Sequence, residues 1–346
     1  MIHHLIRRAQ SEPTPFIDGD TVTFVWRGSC APQLIGDFTD WEDGTPVTLN
    51  RITKSVWVYQ LTFPADAYIE YAYVDGDERL SDPFNSRTTP NGVGKFNHYF
   101  YMPEAAPTPL AERNPEVRHG SVTRHVVAAE DLVAGGRRTV YLYRPPVGWR
   151  VPLVVVWDGT DYLRRARLPD ILDNLIAQQR IRPVALAMIQ NGGRARVIEY
   201  ACSEATLGFL MKCVIPLAQA NLRLTKIEGG GYGVLGASMG GLMALYTALR
   251  LPHIFSKVIS QSGAFGSEDR DSVVFDLLRD GPHLPIKIWM DVGRFDFPDL
   301  LAANQRMDEL LREKDYPVVF RQYNGGHNFP SWRDDIWRGM EELFPR

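Results

Sequence analysis

A serine at position 238 lies between two glycines in Gly236-Ala-Ser238-Met-Gly240, a G-x-S-x-G pattern. The residues before it, from Tyr232 to Leu235, read as a short buried strand. The small and apolar residues from Gly241 to Leu249 read as a buried helix. A serine in such a strand-to-helix turn presents its hydroxyl where backbone N–H groups of the helix start lack partners, the setting of a nucleophile. Glycines flank it because larger side chains would collide in a strained turn. The hydroxyl is a weak nucleophile at neutral pH and needs a base. Of the eight histidines, His327 in Asn324-Gly-Gly-His327 stands out, because it follows a strand-like run over 318–323 and precedes a last helix. From such a loop it can reach back over the strand ends. His3 and His4 belong to the N-terminal tail, His98 to a β-rich region and His119 to a Pro-rich stretch. His125 starts a strand, and His253 and His283 sit beside prolines in connections.

A third group must orient the imidazole and stabilise its cation. The run 286–290 leads into Asp291-Val-Gly-Arg-Phe-Asp296, and Asp296 is the favoured acid, on the loop past the strand. Asp291, nearer the strand end, is its rival, and Asp299 is a third choice. The order Ser238, Asp296, His327 is the chain order of the α/β-hydrolase triad. Acyl transfer also requires donors for the developing oxyanion. The N–H of Met239, directly after the nucleophile, is one candidate. The other belongs to Asp158-Gly159-Thr160, with the Thr160 N–H favoured and Gly159 as the alternative, a glycine allowing close approach of backbone to substrate. For substrate binding the candidates are Asp158, Arg194, Arg196 and Trp332, with Phe297 as a second aromatic; core burial is the alternative for the two aromatic residues. Arg194 and Arg196 follow a strand, near the edge where open α/β sheets bind ligands. They would hold an anionic acyl group or catecholate, or else serve as loop residues paired with Glu199 or Glu204.

The elements that must position these groups fall into two blocks. Residues 20–103 are rich in β-branched and aromatic runs (21–26, 33–35, 56–63, 68–74), with Asp75-Gly76 as a turn signal. They predict an all-β sandwich within residues 1–103. Residues 104–120 carry closely spaced prolines and form a linker or strap. From 121 to 346, short apolar runs at 139–143, 153–157, 184–189, 232–235, 257–260 and 286–290 alternate with helix-like stretches at 168–180, 205–222, 239–251, 300–314 and 331–343. That alternation predicts an α/β domain, a mostly parallel sheet with helices on both faces.

Composition excludes several classes. With 38 Lys+Arg against 41 Asp+Glu, 45% hydrophobic and 23% charged residues, the chain is globular and lacks the basic excess of a nucleic-acid binder. Cys30, Cys202 and Cys213 are too few and scattered for a disulfide framework or zinc site, and none has an evident activating base. No apolar segment follows the basic start, so a cytoplasmic location is expected. No metal or organic cofactor and no membrane or nucleic-acid partner is expected. The expected partner is a small-molecule ester, and a homodimer is compatible with the sequence.

Five segments together resemble the esterase D and enterochelin-esterase group of the α/β-hydrolase superfamily: Val156-Trp-Asp-Gly159, Gly236-Ala-Ser-Met-Gly-Gly241, Ser260-Gln-Ser-Gly-Ala264, Asp291-Val-Gly-Arg-Phe-Asp296 and Gly325-Gly-His-Asn-Phe-Pro-Ser-Trp-Arg333. The resemblance implies a cofactor-free serine carboxylesterase with Ser238, Asp296 and His327 as triad and the 158–160 loop as half the oxyanion hole. It implies an aryl or catechol-type ester as substrate. Feruloyl or acetyl esters of plant carbohydrates, or acyl transfer by the same triad, are alternatives. The N-terminal block resembles early-set immunoglobulin-like domains related to glycogen-binding modules, through Ile35-Gly-Asp-Phe-Thr-Asp-Trp41, Tyr71-Ala-Tyr-Val-Asp-Gly76, Asp82-Pro83 and Gly94-Lys-Phe-Asn97. In sugar-binding members two tryptophans, a lysine and an asparagine hold the glucan. Trp41 and Asn97 match, but Ala72 takes the lysine position and Glu78-Arg79 that of the second tryptophan. A structural cap, not glucan binding, is the expected role.

Overall fold

The computed structural model describes residues 8, 11–76, 78–92, 94–227, 231–267 and 270–346; His3 and His4 lie outside them. The chain divides into two compact units. The first comprises residues up to Ala106 together with Gly293–Pro298 and Tyr323–Asn328. The second comprises Pro107–Val292, Asp299–Gln322 and Phe329–Arg346.

In the first unit, β1 (Phe16–Asp18), β2 (Thr21–Arg27), β3 (Gln33–Gly36), β4 (Val47–Thr48), β5 (Asn50–Arg51), β6 (Val56–Thr62), β7 (Tyr68–Asp75), β8 (Glu78–Leu80), β9 (Thr88–Pro90) and β10 (Phe96–Tyr101) form two antiparallel sheets. One has the order β1-β2-β6-β5 and the other β4-β3-β7-β10-β9, with β8 on β7. Period-2 alternation sends Val22 and Phe24 of β2 into one core with Leu34, Ile69, Tyr71, Tyr73 and Phe100. Phe24 meets Tyr71 edge-on at 5.1 Å, a favourable aromatic geometry. The opposite face of β7, which carries Tyr68, Glu70, Ala72 and Val74, is buried as well.

The second unit is built on an eight-stranded sheet of order β11-β12-β14-β13-β15-β16-β17-β18. Its strands are β11 (Ser121–Ala128), β12 (Arg137–Arg144), β13 (Leu153–Val156), β14 (Ala185–Ile189), β15 (Tyr232–Ala237), β16 (Phe255–Gln261), β17 (Lys287–Phe295) and β18 (Val318–Gly326). Strands β13 to β17 pair in parallel. The antiparallel hairpin β11–β12 extends the β14 edge. The chain leaves β13 for β14 on one side and returns to β15 on the other. Open α/β sheets take ligands at the carboxyl ends of the strands that flank such a reversal, here β13 and β15.

The helices are α1 (Gly159–Arg164), α2 (Leu168–Ala177), α3 (Arg196–Tyr200), α4 (Glu204–Phe209), α5 (Ile215–Asn221), α6 (Met239–Arg250), α7 (Val273–Asp280), α8 (Pro298–Glu313) and α9 (Phe329–Leu343). Every residue of α6 from Gly240 to Leu249 is buried, as expected of a helix apolar all round. The single helix expected over 205–222 is instead α4, a π-helical turn (Leu210–Val214) and α5. Pro216, in the first turn of α5, cannot donate back to that turn, so the regular bonding pattern breaks there. The Pro-rich stretch straps onto the second unit. Asn174 donates to the carbonyls of Leu110 (2.7 Å) and Glu112 (2.9 Å), and Asp334 accepts the Thr108 N–H (2.9 Å). Among the described residues no single helix is long and apolar enough to cross a membrane.

Candidate active site

Strand β15 ends at Ala237 and α6 begins at Met239, so Ser238 is the whole turn between them. Its φ of +57° and ψ of −127° are costly for a residue with a Cβ. Main-chain bonds enforce this conformation. The Ser238 N–H donates to Gln261 C=O (2.8 Å), and its own C=O accepts from Gly241 (2.9 Å), Leu242 (3.1 Å) and Ala264 (3.0 Å). A Cβ at Gly236 would overlap the Gly240 carbonyl, which accounts for glycine before the turn. The Met239 N–H opens the helix and has no partner within it.

One strand away, β13 runs into Trp157 and Asp158, and Trp157 donates to Leu235 C=O (2.8 Å), tying the two strand ends together. Asp158 adopts left-handed backbone (φ +53°) and starts α1. The N–H groups of Asp161 and Tyr162 bond to Asp158 C=O, which leaves those of Gly159 and Thr160 without a partner in the helix. A Cβ at Gly159 would overlap the Met188–Ile189 peptide of β14. Packing on the neighbouring strand, rather than close approach to substrate, therefore requires this glycine.

Two expected substrate contacts have a different role. The Asp158 carboxylate is 3% exposed and is taken up by Arg196, whose Nε and Nη2 donate to Oδ1 and Oδ2 at 2.7 Å each. Asn191 adds a third bond (2.8 Å). A carboxylate this deeply buried must be paired, and a guanidinium fork fits it bidentately. Arg196 also donates to Ala237 C=O (3.2 Å), so it fastens the loop after β13 to the residue before Ser238. The alternative partners proved to be others': Arg138 pairs with Glu199, and Arg250 with Glu204. Arg194 alone is exposed, on the turn Gly193–Ala195, beside the exposed Val197 (61%) and Ile198 (77%).

Asp296 and His327 stand together in the first unit. His327 Nδ1 lies 2.8 Å from Asp296 Oδ1, which also accepts the Phe297 N–H at 2.8 Å. The Asp296 side chain is fully buried. Facing a carboxylate, Nδ1 is the ring nitrogen placed to donate. The Phe297 ring packs 5.0 Å from the imidazole. Asp291 is excluded from this pairing. Its Oδ2 accepts from Gln261 Nε2 (3.0 Å) and Trp289 Nε1 (3.3 Å), and burial pushes its carboxyl well above the usual carboxylate range, with Asp335 adding repulsion. Asp299 is exposed on the first turn of α8.

Trp332, expected to line a substrate pocket, is a core residue at 4% exposure. Its indole N–H donates to Ser262 Oγ (3.1 Å), and its C=O accepts from Gln261 (3.1 Å). Gln261 itself was missed in the sequence. It accepts from Tyr162 OH (2.9 Å) and bonds Asp291, forming a buried polar lattice beside the Ser238 turn. Its only signal was an amide ending a buried strand. One cluster among the described residues, His119, Asp170 and Asp173, has metal-like spacing. Its Asp173 is already satisfied by Tyr143 OH (2.6 Å), Gly120 N–H (2.9 Å) and His119.

Comparison with known proteins gives the family. The family model described as "Putative esterase" matches residues 133–343. The chain is 24% identical over 276 residues to the iron(III) enterobactin esterase of Escherichia coli (strain K12), covering 77% of this chain and 68% of that protein. It is also 24% identical to the iron(III) salmochelin esterase of Escherichia coli O6:H1, covering 96% and 91% respectively. The solved ferric enterobactin esterase from Salmonella typhimurium superposes with a TM-score of 0.82 at 22% identity, covering 98% of each chain. The chain therefore belongs to this esterase family and is a carboxylic ester hydrolase with an α/β-hydrolase fold of the enterochelin-esterase type.

Proposed function

We propose that the protein is a serine esterase in which Ser238, His327 and Asp296 form the catalytic triad. The observation that carries this reading is the strained backbone of Ser238 at the strand-to-helix turn between β15 and α6. The Ser238 proton passes to His327 Nε2 as Oγ attacks the ester carbonyl carbon. Asp296 holds the Nδ1 proton and stabilises the imidazolium. The oxyanion takes hydrogen bonds from the Met239 N–H and the Thr160 N–H, with Gly159 as the alternative donor. Each such donor is worth about 10²–10³ in kcat. Collapse expels the alcohol, which leaves with the proton from Nε2, and the acyl group stays on Oγ. Water then attacks, gives its proton to Nε2, and the carboxylic acid departs as Ser238 regains its hydrogen.

The substrate class we infer is a catechol-type aryl ester. Arg194, Val197 and Ile198 support it, since together they offer a cation beside apolar surface after the carboxyl end of β14. The named activities of the enterobactin and salmochelin esterases point the same way. The test compares kcat/KM on an iron-loaded catecholate trilactone and on methyl ferulate, with Ser238→Ala as blank. A strong preference for the trilactone is expected. Preference for ferulate would replace this substrate class with plant-derived esters. Faster capture of the acyl group by an added alcohol than by water would make the protein an acyltransferase.

A further inference from the structure

The Gly36-Asp37-Phe-Thr-Asp-Trp41 segment has no part in the ester chemistry, yet its aspartate is among the most constrained groups of the first unit. Asp37 is 5% exposed. Its Oδ2 accepts the Glu70 N–H (2.8 Å), its Oδ1 accepts the Trp41 indole N–H (3.1 Å), and its own N–H donates to Glu70 C=O (3.1 Å). This carboxyl is pressed against Gly326, the residue before His327, and a Cβ on Gly326 would overlap it. Burial first, then the neighbouring Glu70 carboxylate and, to a smaller extent, Asp296 push the Asp37 carboxyl well above the usual carboxylate range. Two further contacts grip the same segments. Phe63 meets Phe295 edge-on at 5.6 Å, one residue before Asp296. Asn324 donates to Asp66 at 2.6 Å, three residues before His327.

The two residues that match sugar contacts of the glucan-binding domains the sequence resembles, Trp41 and Asn97, are engaged within this same network. Trp41 is bonded to Asp37 and covered by Arg79, whose guanidinium lies 5.1 Å from the ring. Asn97 is 4% exposed and bonded to Glu70 (2.7 Å) and Arg79.

We propose that Asp37 is a positioning residue for the catalytic base: its buried carboxyl, seated against Gly326, fixes where His327 stands beside Asp296. The N-terminal sandwich thereby belongs to the catalytic apparatus and does not serve as a sugar-binding module. This rests on the reading of His327 as the base. The seat has room for a carboxyl facing a glycine and for nothing larger. Filling it from the Gly326 side must displace the loop, and emptying the Asp37 side must make room again.

The test is a double-mutant cycle on the full chain, with kcat, KM and Tm measured for Gly326→Ala, Asp37→Ala and the pair. Gly326→Ala should lower kcat by about 10²-fold with KM nearly unchanged, the usual consequence of moving a catalytic group by about 1 Å. Adding Asp37→Ala should restore kcat at least tenfold over Gly326→Ala alone. Recovery of that kind cannot come from a variant that merely fails to fold, and Tm monitors folding separately. Asp66→Ala, on an exposed contact further along the loop, should change kcat by less than about threefold. A Gly326→Ala enzyme with kcat within twofold of the parent, or a pair no faster than Gly326→Ala, would overturn the proposal. His327→Ala separates the two readings. If it stays active, the base assignment itself fails. If it is inactive while the cycle is flat, only the positioning role of Asp37 fails.

Discussion

Ser238 is held by main chain, with four backbone hydrogen bonds and a neighbouring glycine forcing its turn, all within the stretch from β15 to just past β16. Asp296 and His327 are held differently. Around them stand side chains of the N-terminal sandwich, Asp37 against Gly326 and Phe63 against Phe295, which lie more than two hundred residues earlier in the chain. The Ser238 turn is thus a local product of the sequence, and the Asp296–His327 pair is a product of tertiary packing. Backbone constraint tolerates side-chain changes nearby, whereas side-chain constraint transmits them.

The largest effect should come from the groups that act on the substrate. Ser238→Ala and His327→Ala should each lower kcat by about 10⁶-fold, and the double variant should lose little more, because the two act as one unit. Single-turnover measurements on an aryl ester check this, and additive losses would break the account. Asp296→Asn should cost about 10⁴-fold, since an amide no longer stabilises the protonated imidazole. Asp291→Asn should leave kcat within a few fold. Reversed magnitudes for these two would move the triad acid to Asp291.

The difference between these two aspartates shows how far the sequence could be read. Five residues apart on one strand and loop, both were candidates, and only chain position past the strand end favoured Asp296. What separates them is which neighbour each meets: His327 for one, Gln261 and Trp289 for the other. The Ser238 turn was legible because its requirements, a buried strand, small residues and an apolar helix, are all local. The same holds for most of the strands and helices, whose apolar runs carry their own period. Asp158 and Arg196 were misread as substrate contacts because a carboxylate and a guanidinium thirty-eight residues apart give no sign in sequence that they are buried together. Trp332 was left open between pocket and core for the same reason, since an aromatic residue near His327 does not reveal in sequence which way it faces.

Smaller effects would sharpen the comparison. Arg196→Met strands the buried Asp158 carboxylate, a loss of about 3–5 kcal/mol by analogy with broken buried ion pairs. Urea denaturation should show it, together with reduced kcat from the loosened loop after β13. Unchanged stability would mean that Asp158 does not need the clamp.

Asp291 should produce a pH effect. An acid whose carboxyl is raised on folding holds a proton that the unfolded chain releases. Its contribution therefore falls as pH rises from about 4, the ordinary carboxylate value, up to its folded value, and stays flat above. Asp291→Asn places an amide NH2 at the unpartnered Oδ1 position and removes the ionisation. It should flatten that part of the Tm-against-pH curve and raise Tm slightly at neutral pH. A curve that keeps the parent's slope would contradict the burial argument.

The central claim is that Ser238 is the nucleophile activated by His327. Reaction with a fluorophosphonate ester, followed by peptide mass spectrometry, tests it without knowledge of the natural substrate. The account predicts one phosphonyl adduct per chain, located on Ser238, and labelling slowed by orders of magnitude in His327→Ala. An adduct on another residue, or equal labelling of Ser238→Ala, would contradict it.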